Sequence, residues 1–146
     1  MGVFTAAEFN AGFKALNVTS VAELKALLPA LRARLDDTST FNRIWMWLYD
    51  FNCEAGQKTI ALAAAIAVTQ LVMTPARWPL APAWVSFLSR PGMKGSVSKD
   101  TWSQLLRLRS LVKSDLSNYE AASDAWPVLL DDFVEWQRAA ERAVRQ

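Results

Sequence analysis

Apolar residues recur at three- to four-residue spacing along most of the chain, broken by short polar or Gly- and Pro-bearing segments. That pattern predicts a succession of helices. Thr5-Ala6-Ala7-Glu8 is a capping-box sequence, and Phe4 and Phe9 stand where a hydrophobic staple would join them. The helix is expected to run to about Leu16, with Asn17 as a left-handed stop. Ser20-Val21-Ala22-Glu23 repeats the box ahead of a helix with Leu24, Leu27, Leu28, Leu31 and Leu35 on one face. Pro29 interrupts that stretch and predicts a kink or a restart. A third helix over 41–51 carries Ile44, Trp45, Trp47 and Leu48, and a fourth spans the apolar run 62–73. Pro82 opens a short helix through Trp84, Phe87 and Leu88, and a turn follows over 91–95. Ser98 can cap a helix over 99–112 with Asp100 in its first turn. A polar loop over 115–124 then leads to a last helix opened by Pro127. Strand signals are confined to a residue or two near Ile60 and Val97. The fold class is all-α.

Helix, loop, apolar residue, helix occurs twice, which suggests paired EF-hand-like units. With Ile60 and Val97 set at the eighth loop position, the first loop offers Cys53, Ala55, Gln57 and Ala64 at the ligand positions, and the second offers Arg90, Gly92, Lys94 and Thr101. Calcium needs several carboxylates and a bidentate acid at the twelfth place. Neither loop has one, so both are expected to be degenerate, with helix packing setting their geometry.

Composition narrows the chemistry. A length of 146 residues suits one domain, able to bury roughly two-thirds of its unfolded surface. Seven Trp and seven Phe supply the apolar area, and a net charge of +2 does not point to nucleic acid. There is no histidine, which removes His-based nucleophile systems, His acid–base work and His-containing zinc sites. The single cysteine, Cys53, can form neither an internal disulfide nor a multi-cysteine metal site, so no cofactor is expected and a cytosolic or nuclear setting is. No basic segment followed by an apolar run opens the chain, and Met1-Gly2 has Ala6 where a myristoylation motif wants Ser or Thr. The uncharged stretch 59–73 is too short to span a bilayer and contains Gln70.

Three blocks carry a resemblance: Lys99-Asp100-Thr101-Trp102, then Asp115-Leu116-Ser117-Asn118-Tyr119, then Ala125-Trp126-Pro127-Val128-Leu129-Leu130-Asp131-Asp132-Phe133-Val134-Glu135. With Phe4-Thr5-Ala6-Ala7-Glu8-Phe9, Phe51, Gly56-Gln57-Lys58 and Ala65-Ile66-Ala67, the chain resembles the potentiating-neddylation domain of the defective-in-cullin-neddylation family from Phe4 to about Trp136. The resemblance implies a single domain over 1–146. It also implies absence of the several helices that usually precede the equivalent of Phe4. It further implies a non-catalytic co-ligase. Such a scaffold holds the cullin C-terminal winged-helix domain and the N-acetylated methionine of the neddylation E2, and speeds transfer of the ubiquitin-like modifier by proximity. Membranes and nucleic acid are not among the implied partners.

By the same resemblance the cullin patch falls on Asp100, Ala125 and Asp131, and the E2 pocket on Phe4, Phe51, Val68 and Leu71. Val68 stands where many members have tyrosine. By residue type alone, Asp100 reads as a helix N-terminal charge, Asp131 as a solvated one, and the four apolar residues as ordinary core. Other readings are a thioester on Cys53, opposed by the neighbouring Glu54 charge, and a helical peptide-binding adaptor. Arg138, Arg142 and Arg145 form a basic helix stripe, the usual form of a solvated face.

Overall fold

The computed structural model describes residues 3–122 and 125–144. Met1-Gly2, the end of the polar loop and Arg145 of the basic stripe therefore lie outside the described residues. The elements are α1 (Ala6–Ala15), α2 (Val21–Ala33), a 3-10 turn (Arg34–Asp36), α3 (Thr38–Asn52), β1 (Thr59–Ala61), α4 (Leu62–Val72), α5 (Ala81–Leu88), β2 (Ser96–Ser98), α6 (Lys99–Leu111), α7 (Tyr119–Ala122) and α8 (Val128–Val144). The domain is mainly helical, as the spacing predicts.

Local chemistry starts and stops these helices. Thr5 and Glu8 form the full capping box of α1. Asn17 ends that helix with φ at 53°, while Val18 N–H reaches back to the Phe13 carbonyl at 3.0 Å. The second box is shifted. Ser20 accepts the Glu23 N–H, but the Glu23 carboxylate bonds the N–H of Thr19 at 2.6 Å and its hydroxyl too. The restart expected at Pro29 is absent, since α2 is one helix. Lys25 and Pro29 are both exposed, so water can take the carbonyl that proline leaves unbonded. The staple is also replaced. Phe4 lies on Phe51, 4.8 Å between ring centres, and Phe9 pairs with Phe13, its own neighbour one helical turn on.

The core begins at α3. Trp45 and Trp102 stack at 3.9 Å and 7°, and each indole N–H donates to the other residue's backbone carbonyl at 2.9 Å. This reciprocal exchange fastens α3 to α6 with no buried donor left over. Strands β1 and β2 pair antiparallel with Ile60 opposite Val97, the expected partners. The Tyr49 hydroxyl lies 3.0 Å from the carbonyls of both Lys58 and Val97, clipping the strands to α3. A second aromatic node joins α5 to α8, where Trp84 and Phe87 meet the Phe133 edge at 5.2 and 5.5 Å. By contrast, α1 and α2 bury no residue fully.

Candidate protein-interaction site

The segment after α6 is built to hold one carboxylate. Asp115 accepts the Ser117 N–H at 3.0 Å and turns the chain, and Leu116 follows with φ at 57° and complete burial. A left-handed leucine is disfavoured by about 1–2 kcal/mol, an amount its buried side chain can offset. Asn118 ties the turn back to α6, donating to the Leu111 carbonyl and accepting the Lys113 N–H, both at 2.8 Å. Tyr119 is thereby fixed, and its hydroxyl donates to Asp131 Oδ1 at 2.7 Å. Burial, and then this hydrogen bond to Asp131, push the Tyr119 phenol well above its ordinary range. It stays a donor at neutral pH, and among the described residues Asp131 Oδ2 has no partner, so it can meet a cation.

Neighbouring side chains brace the same point. Trp126 stacks on Tyr119 at 5.4 Å and donates its indole N–H to the Tyr119 carbonyl at 3.4 Å, which sets the exposed Ala125 just ahead of it. Arg138 bonds both Glu120 carboxylate oxygens, at 2.6 and 3.1 Å, and the Leu116 carbonyl at 2.8 Å. One member of the basic stripe thus clamps the turn instead of facing only water.

Asp100 stands exposed in the first turn of α6. Arg107, seven residues and about 10.5 Å further along the same helix face, holds its guanidinium 5.8 Å from the Trp126 ring. The structure therefore sets Asp131 against Tyr119, with Ala125 next in sequence to the Trp126 that stacks on Tyr119, and Asp100 two turns before the Arg107 that reaches Trp126. Among the described residues, Asp100, Asp131, Asp132 and Glu135 form no ion pair. The arrangement can receive Lys or Arg side chains beside a small apolar contact.

The Glu120–Arg138 clamp gives a pH signature. Hydrogen bonding to Arg138, foremost, holds the Glu120 carboxyl down at about 2, against an ordinary 4.5. A depressed folded value means the contribution is complete above the ordinary value and disappears as pH falls toward the folded one. Acid unfolding followed by circular dichroism should show a sensitive interval between those limits, and Glu120→Gln should remove that share. Because Glu120 is exposed, added salt should weaken the effect.

The second predicted group is only partly assembled. Phe4 and Phe51 touch, and Trp47 joins them at 6.5 and 4.8 Å, a member the sequence reading missed although its spacing from Phe51 is helical. Val68 lies in the core of α4, whereas Leu71 is 75% exposed. Cys53 is half-buried, with its thiol 3.1 Å from the Gln57 carbonyl of its own loop.

The sequence model of the family described as "Cullin binding" matches residues 23–136. The chain belongs to the cullin-binding family. It is 36% identical over 138 residues to DCN1-like protein 4 of Drosophila melanogaster, covering 94% of this chain and 54% of that protein. DCN1-like protein 4 of Homo sapiens is 35% identical over 138 residues, covering 94% and 46% respectively. DCN1-like protein 3 of Homo sapiens is 35% identical, covering 92% and 45%. The chain spans about half the length of the curated relatives it matches. Asp100, Ala125 and Asp131 all fall inside the span matched to the cullin-binding family, as do Phe51, Val68 and Leu71, while Phe4 precedes it.

Proposed function

We propose that this chain is a scaffold-type co-ligase for cullin neddylation. The acidic face of Asp100, Ala125 and Asp131 takes basic side chains of a cullin winged-helix domain. The Phe4–Phe51 side takes the acetylated N-terminal methionine of the neddylation E2, with Val68 and Leu71 on α4 completing that group. Acetylation removes a charge that an apolar site would have to desolvate. Holding both partners raises the rate of transfer to a cullin lysine by proximity and orientation, and requires no reactive side chain of its own. The cytoplasm and the nucleus are where this work would be done. The observation that carries the reading is the Tyr119 hydroxyl on Asp131 Oδ1, which steadies a carboxylate that has no ion pair among the described residues.

The test is calorimetric titration of a cullin winged-helix fragment into the chain and into Asp131→Ala. Binding that the variant loses supports the assignment, while equal binding by both places the interface elsewhere. The other reading, a helical adaptor for peptides without neddylation activity, draws on the exposed Phe4 and Trp47 packed on the half-buried Phe51. Discrimination between acetylated and free methionine peptides separates the two.

A further inference from the structure

A second surface shares no residue with the groups assigned above, although Arg43 and Ile44 stand one turn before Trp47 on α3. Between α2, the 3-10 turn and α3 runs a groove of about 340 Å³ lined by Leu31, Arg32, Arg34, Leu35, Thr40, Arg43 and Ile44. Leu31, Leu35 and Ile44 are half-buried and form the floor, and the exposed Arg32, Arg34 and Arg43 stand around it. No acidic residue lines it. The two nearest carboxylates in sequence are engaged: Asp36 pairs with Arg77 at 2.8 Å, and Asp37 accepts the Thr40 N–H at 2.7 Å with Arg43 adding its charge. None of the three arginines donates a hydrogen bond to a described residue. The positive character extends beyond the rim. The Arg109 guanidinium sits 4.5 Å over the Phe41 ring, and burial, then the charge of Arg77, lower its pKa.

We propose that this groove docks an acidic amphipathic helix of a partner protein, with apolar side chains on Leu31, Leu35 and Ile44 and carboxylates on Arg32, Arg34 and Arg43. Charge complementarity selects the sign of the partner. An apolar floor without aromatic rings disfavours a single nucleic acid strand, which would want stacking platforms. A helix fits because the lining comes from two helices and a 3-10 turn with no open strand edge, and Leu31 at the end of α2, Leu35 in the 3-10 turn and Ile44 on α3 offer apolar contacts to one facing helix.

The experiment uses the whole chain and two fluorescein-labelled helical peptides followed by anisotropy. Both carry leucines at positions i, i+4 and i+7; one has glutamates on the flanks and the other lysines. The glutamate peptide should bind saturably, and Arg32→Glu with Arg43→Glu should weaken it by about ten-fold or more. The melting curve should move little, since both positions are exposed and Asp37 keeps its bond to the Thr40 N–H when the charge of Arg43 is lost. Asp131→Ala should leave this binding intact, which separates it from the cullin-facing reading. Equal affinity for the lysine peptide, no saturation, or indifference to the arginine reversal would overturn the proposal. So would a concentration-dependent dimer abolished by Ile44→Glu, which would assign the groove to a second copy.

Discussion

Trp102→Ala should destabilise the domain by about 3–5 kcal/mol, the upper range for a buried aromatic. Trp102 is 1% exposed and stacks flat on Trp45, which is fully buried, so truncation empties a space that two helices border. It also deletes the indole donor that serves the Trp45 carbonyl, and it strips one wall from Tyr49, whose ring centre lies 5.8 Å away. A domain of this size holds about 5–15 kcal/mol in all, so much of the margin goes with one side chain. Thermal unfolding should shift down by roughly 10 °C or more. Trp45→Ala should do similar damage. The double variant should lose less than the sum, because residues in direct contact couple by about 0.5–3 kcal/mol. Additive losses would show that the two indoles are independent space-fillers.

Asp131→Ala should weaken cullin winged-helix binding by about 10- to 150-fold, the equivalent of about 1.5–3 kcal/mol for a hydrogen bond to a charged group. The prediction rests on the proposed scaffold role, and a graded series tests its geometry. Asp131→Asn keeps shape and an acceptor for Tyr119 but removes the charge, so it should retain part of the affinity and lose the share of the salt dependence that Asp131 carries. Tyr119→Phe keeps the charge but frees the carboxylate to rotate; the loss should be smaller and should leave the salt dependence in place. Asp100→Ala, two turns along α6, should weaken binding separately, and its effect should add to that of Asp131→Ala if the two carboxylates meet different cations. A Tyr119→Phe protein that binds as well as the parent would dismiss pre-positioning while sparing the charge itself.

What the sequence made legible was local. Thr5, Ser20 and Ser98 announced their helices because a cap is read within four residues, and Asn17 announced a stop because few residues tolerate a left-handed backbone. The opposition of Ile60 and Val97 followed from laying two loops on one register. The all-α reading survives even where α7 adds a helical turn inside the expected polar loop. What escaped was non-local. The exchange of indole bonds joins positions 57 residues apart, and nothing in the spacing of seven tryptophans marks which two will face each other. At the candidate site, Asp115 to Tyr119 was visible as a motif but not as a device. Leucine gives no hint that position 116 adopts a positive φ, and the bond from Tyr119 to Asp131 depends on how α8 is rotated. The staple between Phe4 and Phe9 fails for a related reason: Phe4 meets a larger aromatic surface on α3, where Phe51 is the partner the resemblance groups with it and Trp47 is an addition no local pattern shows.

The missing burial along α1 and α2 divides the molecule by cooperativity. Val18 is the one residue between 3 and 40 in the buried class, whereas α3, α6 and α8 are locked through fully buried rings. Segments with few buried contacts open at small free-energy cost, independently of global unfolding. Amides of α1 and α2 therefore belong to a fast-exchanging layer, and those of α3 and α6 to the slowest. The Tyr119–Asp131 device is seated on the rigid part, while Phe4 and the arginine-rimmed groove lie partly in the layer that breathes. Affinity on the acidic face is then set by preformed geometry. Affinity on the N-terminal side carries an added ordering term that any partner must meet before it binds.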